Sequence, residues 1–462
     1  MRGSSTIQNF ISRYANHIAL ILSLSWVLLV SILLGLFTYL DWGHGIARFS
    51  ILCAICICCV IFSRAFKRLK TEMVTSPFTS LGILFIVGCM FLLNARVGLL
   101  SIQEARKTEQ VKSDQAQSAY RAILHVKQGI NPYGRNTVLD PPEFFVIAPK
   151  INENDCGSYD IDHGAEVLNQ YWSSLSIGDM MKIFPSIPDI PQCQDIKRRF
   201  SSLGFKYGPM LLLNYWPFTN WFKEPGVLIN HFVLFLAFSA VMTLWLYKRS
   251  QSLFLTSMGL IPIFMPVHLR SNILNQGHSD LLPTFLSIVF LILWVKKKDG
   301  LAAIILALGV AAKTFPGLIY LPLLFRKPRS IYVFLISIGV LYLPFLFWDR
   351  IGLWNNLSYP FLTHDADSTS FRYFLPSWGA KLLPIIFFGS AFYLYQAIKN
   401  EWELNKIMPY LLFTHLAIFA NGNMFHNNYL VWVLPVVSLF VFERILSHQK
   451  SYKEESQSQT PA

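Results

Sequence analysis

Charge is scarce in this chain. Only 14% of its 462 residues are Asp, Glu, Lys or Arg, against roughly 25% in a soluble domain. That shortage, with 53% hydrophobic residues and a mean hydropathy of +0.42, excludes an ordinary soluble enzyme. Acidic residues are scarcer still, 26 against 39 Lys and Arg, which leaves a net charge of +13. On a soluble protein that surplus would point to nucleic acid. Here the basic residues cluster in short loops beside apolar runs, as the positive-inside rule describes, so no nucleic-acid partner is expected. Cysteine is sparse too. Cys53, Cys56, Cys58, Cys59 and Cys89 lie inside apolar runs, where a thiol behaves as a small hydrophobe. Their spacing holds no metal. Cys156 and Cys193 lie in a hydrophilic loop and could pair as a disulfide if that loop faces an oxidising compartment. The chain lacks a Gly-rich nucleotide loop ending in lysine, and it lacks a soluble-type repeat.

What is abundant is long apolar sequence. Runs of about 17 to 25 such residues can cross a bilayer. Ten full spans are expected: Ile18–Leu40, Ile46–Phe62, Phe78–Leu100, Val227–Tyr247, Leu253–His268, Leu281–Val295, Ile331–Phe347, Phe374–Ile398, Ile407–Phe419 and Tyr429–Ile445. The first is too long for a signal-peptide core and lacks a small-x-small cleavage site, so an uncleaved span is expected. Arg64, Lys67, Lys248, Arg249, Lys296, Lys297, Lys298, Arg326, Lys327 and Arg329 fall on one side if both termini are cytoplasmic. The stretch Leu301–Phe325 is basic at both flanks yet too short to cross twice. Two half-helices meeting near Lys313 and Pro316 satisfy both facts, because proline breaks helix continuity and broken backbone at membrane depth must line a protein cavity.

The expected fold class is therefore all-α integral membrane, a polytopic helical bundle. An N-terminal two-span hairpin with its cytoplasmic loop covers residues 1–77. A membrane catalytic domain covers 78–447 and includes a long extracytoplasmic loop, 101–221, too long for a plain connector. The polar tail, 448–462, is expected to be cytoplasmic and disordered.

Polar groups gather at the outer mouths of the spans. Asn275-Gln276-Gly277-His278-Ser279-Asp280 precedes one span. An Asp there suits the helix dipole, and the same helix end with His278 can bind an anion. Lys313, short of the aqueous phase, suits a phosphate as a point charge; the alternative is a snorkelling lysine. In the first outer loop Asp114 and Ser118 share a helix face with Gln117 beside them. A carboxylate so placed can serve as a general base when its surroundings tune it. Gly129-Ile130-Asn131-Pro132-Tyr133 marks the turn that follows. In the last outer loop, Asn421 to Tyr429, the polar density around His426 exceeds what an aromatic belt needs. It suits hydrogen bonding to sugar or phosphate. Asp365-Ala366-Asp367 and Asp160-Ile161-Asp162 are weak cation signals, since hard cations need more than two oxygen ligands. No cofactor is expected, and a divalent metal, although an option, is not expected either.

Six short motifs stand in order: Asp114 with Tyr120, Gly129 to Tyr133, Tyr207-Gly208-Pro209, Gly277 to Asp280, Ala311-Ala312-Lys313 with Pro316, and His426-x-x-Tyr429-x-x-Trp432-x-x-Pro435. Together they resemble the GT-C integral-membrane glycosyltransferases, most closely glycosyltransferase family 87, the polyprenol-phosphate-mannose-dependent mannosyltransferases. The resemblance spans about Phe78 to Ile445. It implies a GT-C-type bundle in the cell inner membrane with an extracytoplasmic active site. It implies transfer of a hexose, mannose above all, from a polyprenyl-phosphate donor to a glycan or glycolipid acceptor, with inversion. Asp114 would then be the base, and Lys313 and His278 would bind the donor phosphate. Tyr120, Asn131, Tyr133, Tyr207, Gln276, Asp280, His426 and Tyr429 would bind substrate. The chain departs from that family in its two preceding spans, in the long stretch between Asn131 and Tyr207, and in having Asp140-Pro141-Pro142 where Tyr-Pro-Pro is usual. Two rivals remain open from sequence: a transporter or flippase of a lipid-linked sugar, since broken helices also mark transporters, and a glycan ligase or polymerase using lipid pyrophosphate donors.

Overall fold

The computed structural model describes residues 45–67, 77–129, 131–134, 207–264, 269–350, 374–401, 403–421 and 429–458, with a few single positions between them. Every regular element among them is helical, as the apolar composition requires of a chain that satisfies its backbone inside a bilayer. The expected first span Ile18–Leu40, apart from Leu29 and Leu33, lies outside the described residues, as do Cys156 and Cys193, both Asp-x-Asp pairs and His426.

In chain order the helices are α1 (Gly45–Lys67), α2 (Pro77–Thr108), α3 (Asp114–Lys127), α4 (Pro209–Phe222), α5 (Gly226–Ser250), α6 (Leu253–Phe264), α7 (Leu281–Val295), α8 (Asp299–Ala312), α9 (Phe315–Leu324), α10 (Pro328–Trp348), α11 (Ser377–Ile398), α12 (Leu404–Asn421) and α13 (Leu430–Ser458). A 3-10 turn, Pro132–Gly134, follows α3, and a π-helical segment, Leu269–Asn275, stands between α6 and α7. Among the described residues, five helical stretches are long and apolar enough to cross a membrane unaided: Ser80–Thr108, Gly226–Ser250, Pro328–Trp348, Lys381–Ile398 and Leu430–Ser447. The chain is an all-α, multi-pass membrane protein.

The centre of the bundle is α13, most of whose apolar stretch is buried inside the protein. It packs on α1, α6, α7 and α12. The Arg249 guanidinium at the end of α5 grips Glu443 of α13 with two bonds, 2.6 and 2.8 Å. That paired geometry suits a buried carboxylate. By contrast α10 and α11 leave Leu335, Ile336, Val340, Ile385, Ile386 and Phe392 exposed, a surface suited to lipid tails.

The helices that build the site are short. At 1.5 Å per residue the 15 residues of α7 rise about 22 Å, less than the roughly 30 Å of hydrocarbon in a bilayer. The expected broken pair is present as α8 and α9. Asp299 opens α8, where an acid suits the helix N-terminus. The helix stops because Lys313 turns extended, φ −146° and ψ 147°. Pro316 sits in the first turn of α9, a position where the missing N–H costs nothing. The two half-helices pack closely through small residues, Gly309 against Pro316 and Gly317 against Val310. Lys327, just past α9, pairs with Asp299 at the start of α8, so the hairpin returns to the side from which it left.

Of the span expected as Leu253–His268, the helix Leu253–Phe264 is described, residues 265–268 lie outside the described residues, and a π-helical segment begins at Leu269. One expectation differs from the structure. The tail expected as disordered continues α13 as helix to Ser458. Extending an existing helix needs no new nucleus, and Lys, Glu and Gln are good helix formers, so composition alone understated its order.

Candidate functional site

Where α7 starts and the α8–α9 hairpin breaks, an acid and a base meet. The Lys313 amine donates to Asp280 Oδ1 at 2.6 Å. The Asp280 side chain is 0% exposed and that of Lys313 11%. A buried carboxylate needs both a counter-charge and hydrogen bonds. Trp432 of α13 supplies one, donating from Nε1 to the same Oδ1 at 2.8 Å. The pair thus stands in the protein interior, held by α7, the hairpin break and α13.

Aromatic rings surround the amine. Lys313 Nζ lies 5.1 Å from the centre of the Tyr207 ring and 5.8 Å from those of Tyr429 and Trp432, within the range of cation–π attraction. Trp432 is itself fixed by stacking, 3.8 Å between centroids from Phe315 and 4.3 Å from Tyr429. Asp280 and the three rings stand around the ammonium.

Tyr207 reaches the lysine because Gly208 lets the chain come close. The Gly208 N–H donates to the Ala312 carbonyl at 3.3 Å, and a Cβ on Gly208 would collide with the Ala311 carbonyl. From the other side the Tyr133 hydroxyl donates to the Tyr207 carbonyl at 2.9 Å. Asn131 shapes the turn that presents Tyr133: its Oδ1 accepts from the Tyr133 N–H at 2.9 Å, and its Nδ2 donates to the Phe345 carbonyl at 3.4 Å. Burial, and after it the neighbouring Tyr342, pushes the Tyr133 hydroxyl well above its ordinary value, so it stays a neutral donor. The Asn-Pro-Tyr motif therefore braces the Tyr-Gly-Pro motif, which covers Lys313.

The turn before Asp280 is gripped from two sides. Gly277 takes φ +80°, a conformation that favours glycine, and His278 Nε2 lies 2.9 Å from Gln276 Oε1. Gln115 Oε1 accepts from the Ser279 N–H and Oγ at 3.4 and 3.3 Å. Gln115 follows Asp114, the first residue of α3. Ser113 caps that helix, accepting from the Ala116 N–H at 3.2 Å. The start of α3 is thereby fastened beside Asp280, although the Asp114 side chain is outside the described set. On the other side, His231 of α5 places Nε2 2.9 Å from the His278 carbonyl.

The residues singled out by sequence therefore divide. Lys313, Asp280, Tyr207 and Tyr429 come together. Gln276 and His278 lie in the adjoining turn, and Asn131 and Tyr133 act at one remove through Tyr207. Tyr120 lies on α3, its hydroxyl pushed up by burial and then by the carboxylates of Glu224 and Glu109.

The glycosyltransferase family 87 model matches residues 205–392. That match covers 188 of the chain's 462 residues. The matched stretch contains Tyr207, Gly208, Asp280 and Lys313; Asp114, Asn131, Tyr133, Tyr429 and Trp432 lie outside it. No curated protein and no solved structure matches the chain. The family 87 match and the membrane helices make this a membrane glycosyltransferase.

Three contributors were assigned no role from sequence, although Trp432 stands in the last of the six motifs. Trp432 reads as an interfacial belt residue, and only its bond to Asp280 shows more. Gln115 carries no signal beyond its place next to Asp114. His231 did carry one, being an ionisable residue inside an apolar span.

Proposed function

We propose that this membrane glycosyltransferase moves a hexose, with mannose the expected sugar, from a polyprenyl-phosphate donor to a glycan or glycolipid acceptor. The reaction takes place at the extracytoplasmic face of the cell inner membrane, with both chain termini cytoplasmic. The acceptor hydroxyl attacks the anomeric carbon from the face opposite the phosphate. A new carbon–oxygen bond forms, the bond to the phosphate oxygen breaks, and configuration inverts. Asp114 takes the hydroxyl proton, and the lipid phosphate leaves as an anion.

The observation that carries this reading is the buried Lys313–Asp280 pair at the hairpin break. A lysine held at a break in a membrane helix offers an anion a fixed positive charge in a low-dielectric setting, where such charge counts most. Its remaining N–H groups can meet the donor phosphate, with His278 assisting from the neighbouring turn. Asp280 fixes the amine, while Tyr207 and Tyr429 present rings and hydroxyls for the sugar. Gln276 and His426 contribute hydrogen bonds to substrate, and Tyr120 adds its hydroxyl from α3. Asn131 and Tyr133 act by holding Tyr207. The scheme invokes no metal, since Lys313 supplies the charge.

Purified enzyme in detergent, supplied with labelled hexose on polyprenyl monophosphate or on polyprenyl pyrophosphate, tests the proposal. Transfer from the monophosphate, with Asp114→Asn losing turnover while still binding donor, supports it. Transfer from the pyrophosphate alone favours a ligase, and movement of lipid-linked sugar without a transferred product favours a flippase.

A further inference from the structure

His231 is 1% exposed, inside the apolar helix α5. Its ring meets three oxygens. Nδ1 lies 2.7 Å from the Val227 carbonyl, one turn back in the same helix. Nε2 lies 2.9 Å from the His278 carbonyl and 3.3 Å from the Tyr215 hydroxyl. A neutral imidazole carries one N–H. The Val227 carbonyl already belongs to the helix ladder of α5, whereas the His278 carbonyl belongs to an irregular turn. With its N–H on Nε2 the ring donates to the His278 carbonyl; with it on Nδ1 the ring donates to Val227 instead.

The surroundings of this histidine are polar by construction. Asn214 Nδ2 donates to Asn230 Oδ1 at 2.7 Å, and Asn230 Nδ2 donates back to the Asn214 carbonyl at 3.0 Å. This bonding joins α4 to α5 one residue before Tyr215 and His231. The His231 ring is thus held by both helices, and its Nε2 points at a backbone atom two residues before Asp280.

We infer that His231 is a positioning residue for the phosphate-binding pair: its Nε2–H holds the His278 carbonyl and so fixes the turn that aims Asp280 at Lys313. This inference rests on the donor-phosphate role proposed above for Lys313. Burial explains why the residue is not an apolar one. A Leu at this place would pack as well, but would take this donor away from the turn carbonyl.

The test is binding of polyprenyl monophosphate to the full-length protein in detergent, for wild type, His231→Leu, His231→Asn, His231→Gln and Lys313→Ala. A Gln amide reaches about as far as Nε2, while an Asn amide stops short. Lys313→Ala is expected to weaken binding at least tenfold. His231→Leu and His231→Asn are each expected to weaken it about tenfold, the loss of roughly one positioned hydrogen bond. His231→Gln is expected to restore most of it. A purely structural role would make Gln and Asn equally poor, and that result overturns the inference. Wild-type affinity in all three His231 variants, with Lys313→Ala impaired, overturns it while leaving the phosphate site standing. Should His231→Leu fail to fold, the contrast between Asn and Gln decides. Unchanged binding in Lys313→Ala, or none in wild type, overturns the phosphate site itself and this inference with it.

Discussion

Gly208 and Ala311 are in backbone contact, with no room between them for a methyl group. Residues about a hundred positions apart are thereby clamped together, and the Tyr207 ring is delivered to the Lys313 amine at 5.1 Å. Gly208→Ala must push the two segments apart. The cost of such overpacking is about 1–3 kcal/mol. A lower melting temperature in detergent, with at least a tenfold loss of transfer because a displacement near 1 Å misaligns the site, is the expected outcome. Wild-type activity would show that the close approach is dispensable.

Asp280→Asn keeps the size of the side chain and its acceptor for Trp432, but leaves the Lys313 charge without its partner. Breaking a buried pair costs about 3–5 kcal/mol. The variant is expected to melt lower and to transfer far more slowly, as read by thermal unfolding and by labelled-hexose assay on the same preparation.

Trp432→Phe separates stacking from hydrogen bonding. The ring contacts with Phe315 and Tyr429 are largely kept, while the bond to Asp280 is lost. Loss of a hydrogen bond to a charged group, about 1.5–3 kcal/mol, should appear mainly as a higher donor KM. A change confined to kcat would place Trp432 in the chemical step.

Tyr133→Phe removes only the hydroxyl that donates to the Tyr207 carbonyl. A loss of about 1 kcal/mol in stability and a several-fold loss of activity are expected. Because burial keeps that hydroxyl protonated, the activity ratio of variant to wild type should stay constant from mildly acidic to mildly alkaline pH.

Much of this was legible in the sequence, for reasons that differ by element. Leu281–Val295 begins after Asp280 and ends before Lys296 in both the expected span and the observed helix, because charged residues mark each end. The break at Lys313 followed from two local facts, basic flanks and Pro316, and needed no tertiary information. The meeting of Lys313 with Asp280 was approachable because both sit at the ends of neighbouring apolar helices. What could not be read was pairing across long separations. The Gln115–Ser279 bond joins residues 164 apart, and no local pattern announces it. His231 looked like one polar residue in an apolar run until Nε2 was seen to face a carbonyl 47 residues away. Trp432 was hidden by its own type, since interfacial tryptophans are common.

The most direct measurement is the donor KM of Lys313→Ala in transfer of labelled hexose from polyprenyl monophosphate. If the amine beside Asp280 holds the lipid phosphate, that KM rises at least tenfold, the loss of one charged contact, while the protein still folds. A KM equal to that of wild type, in a variant of unchanged stability, would contradict the phosphate site.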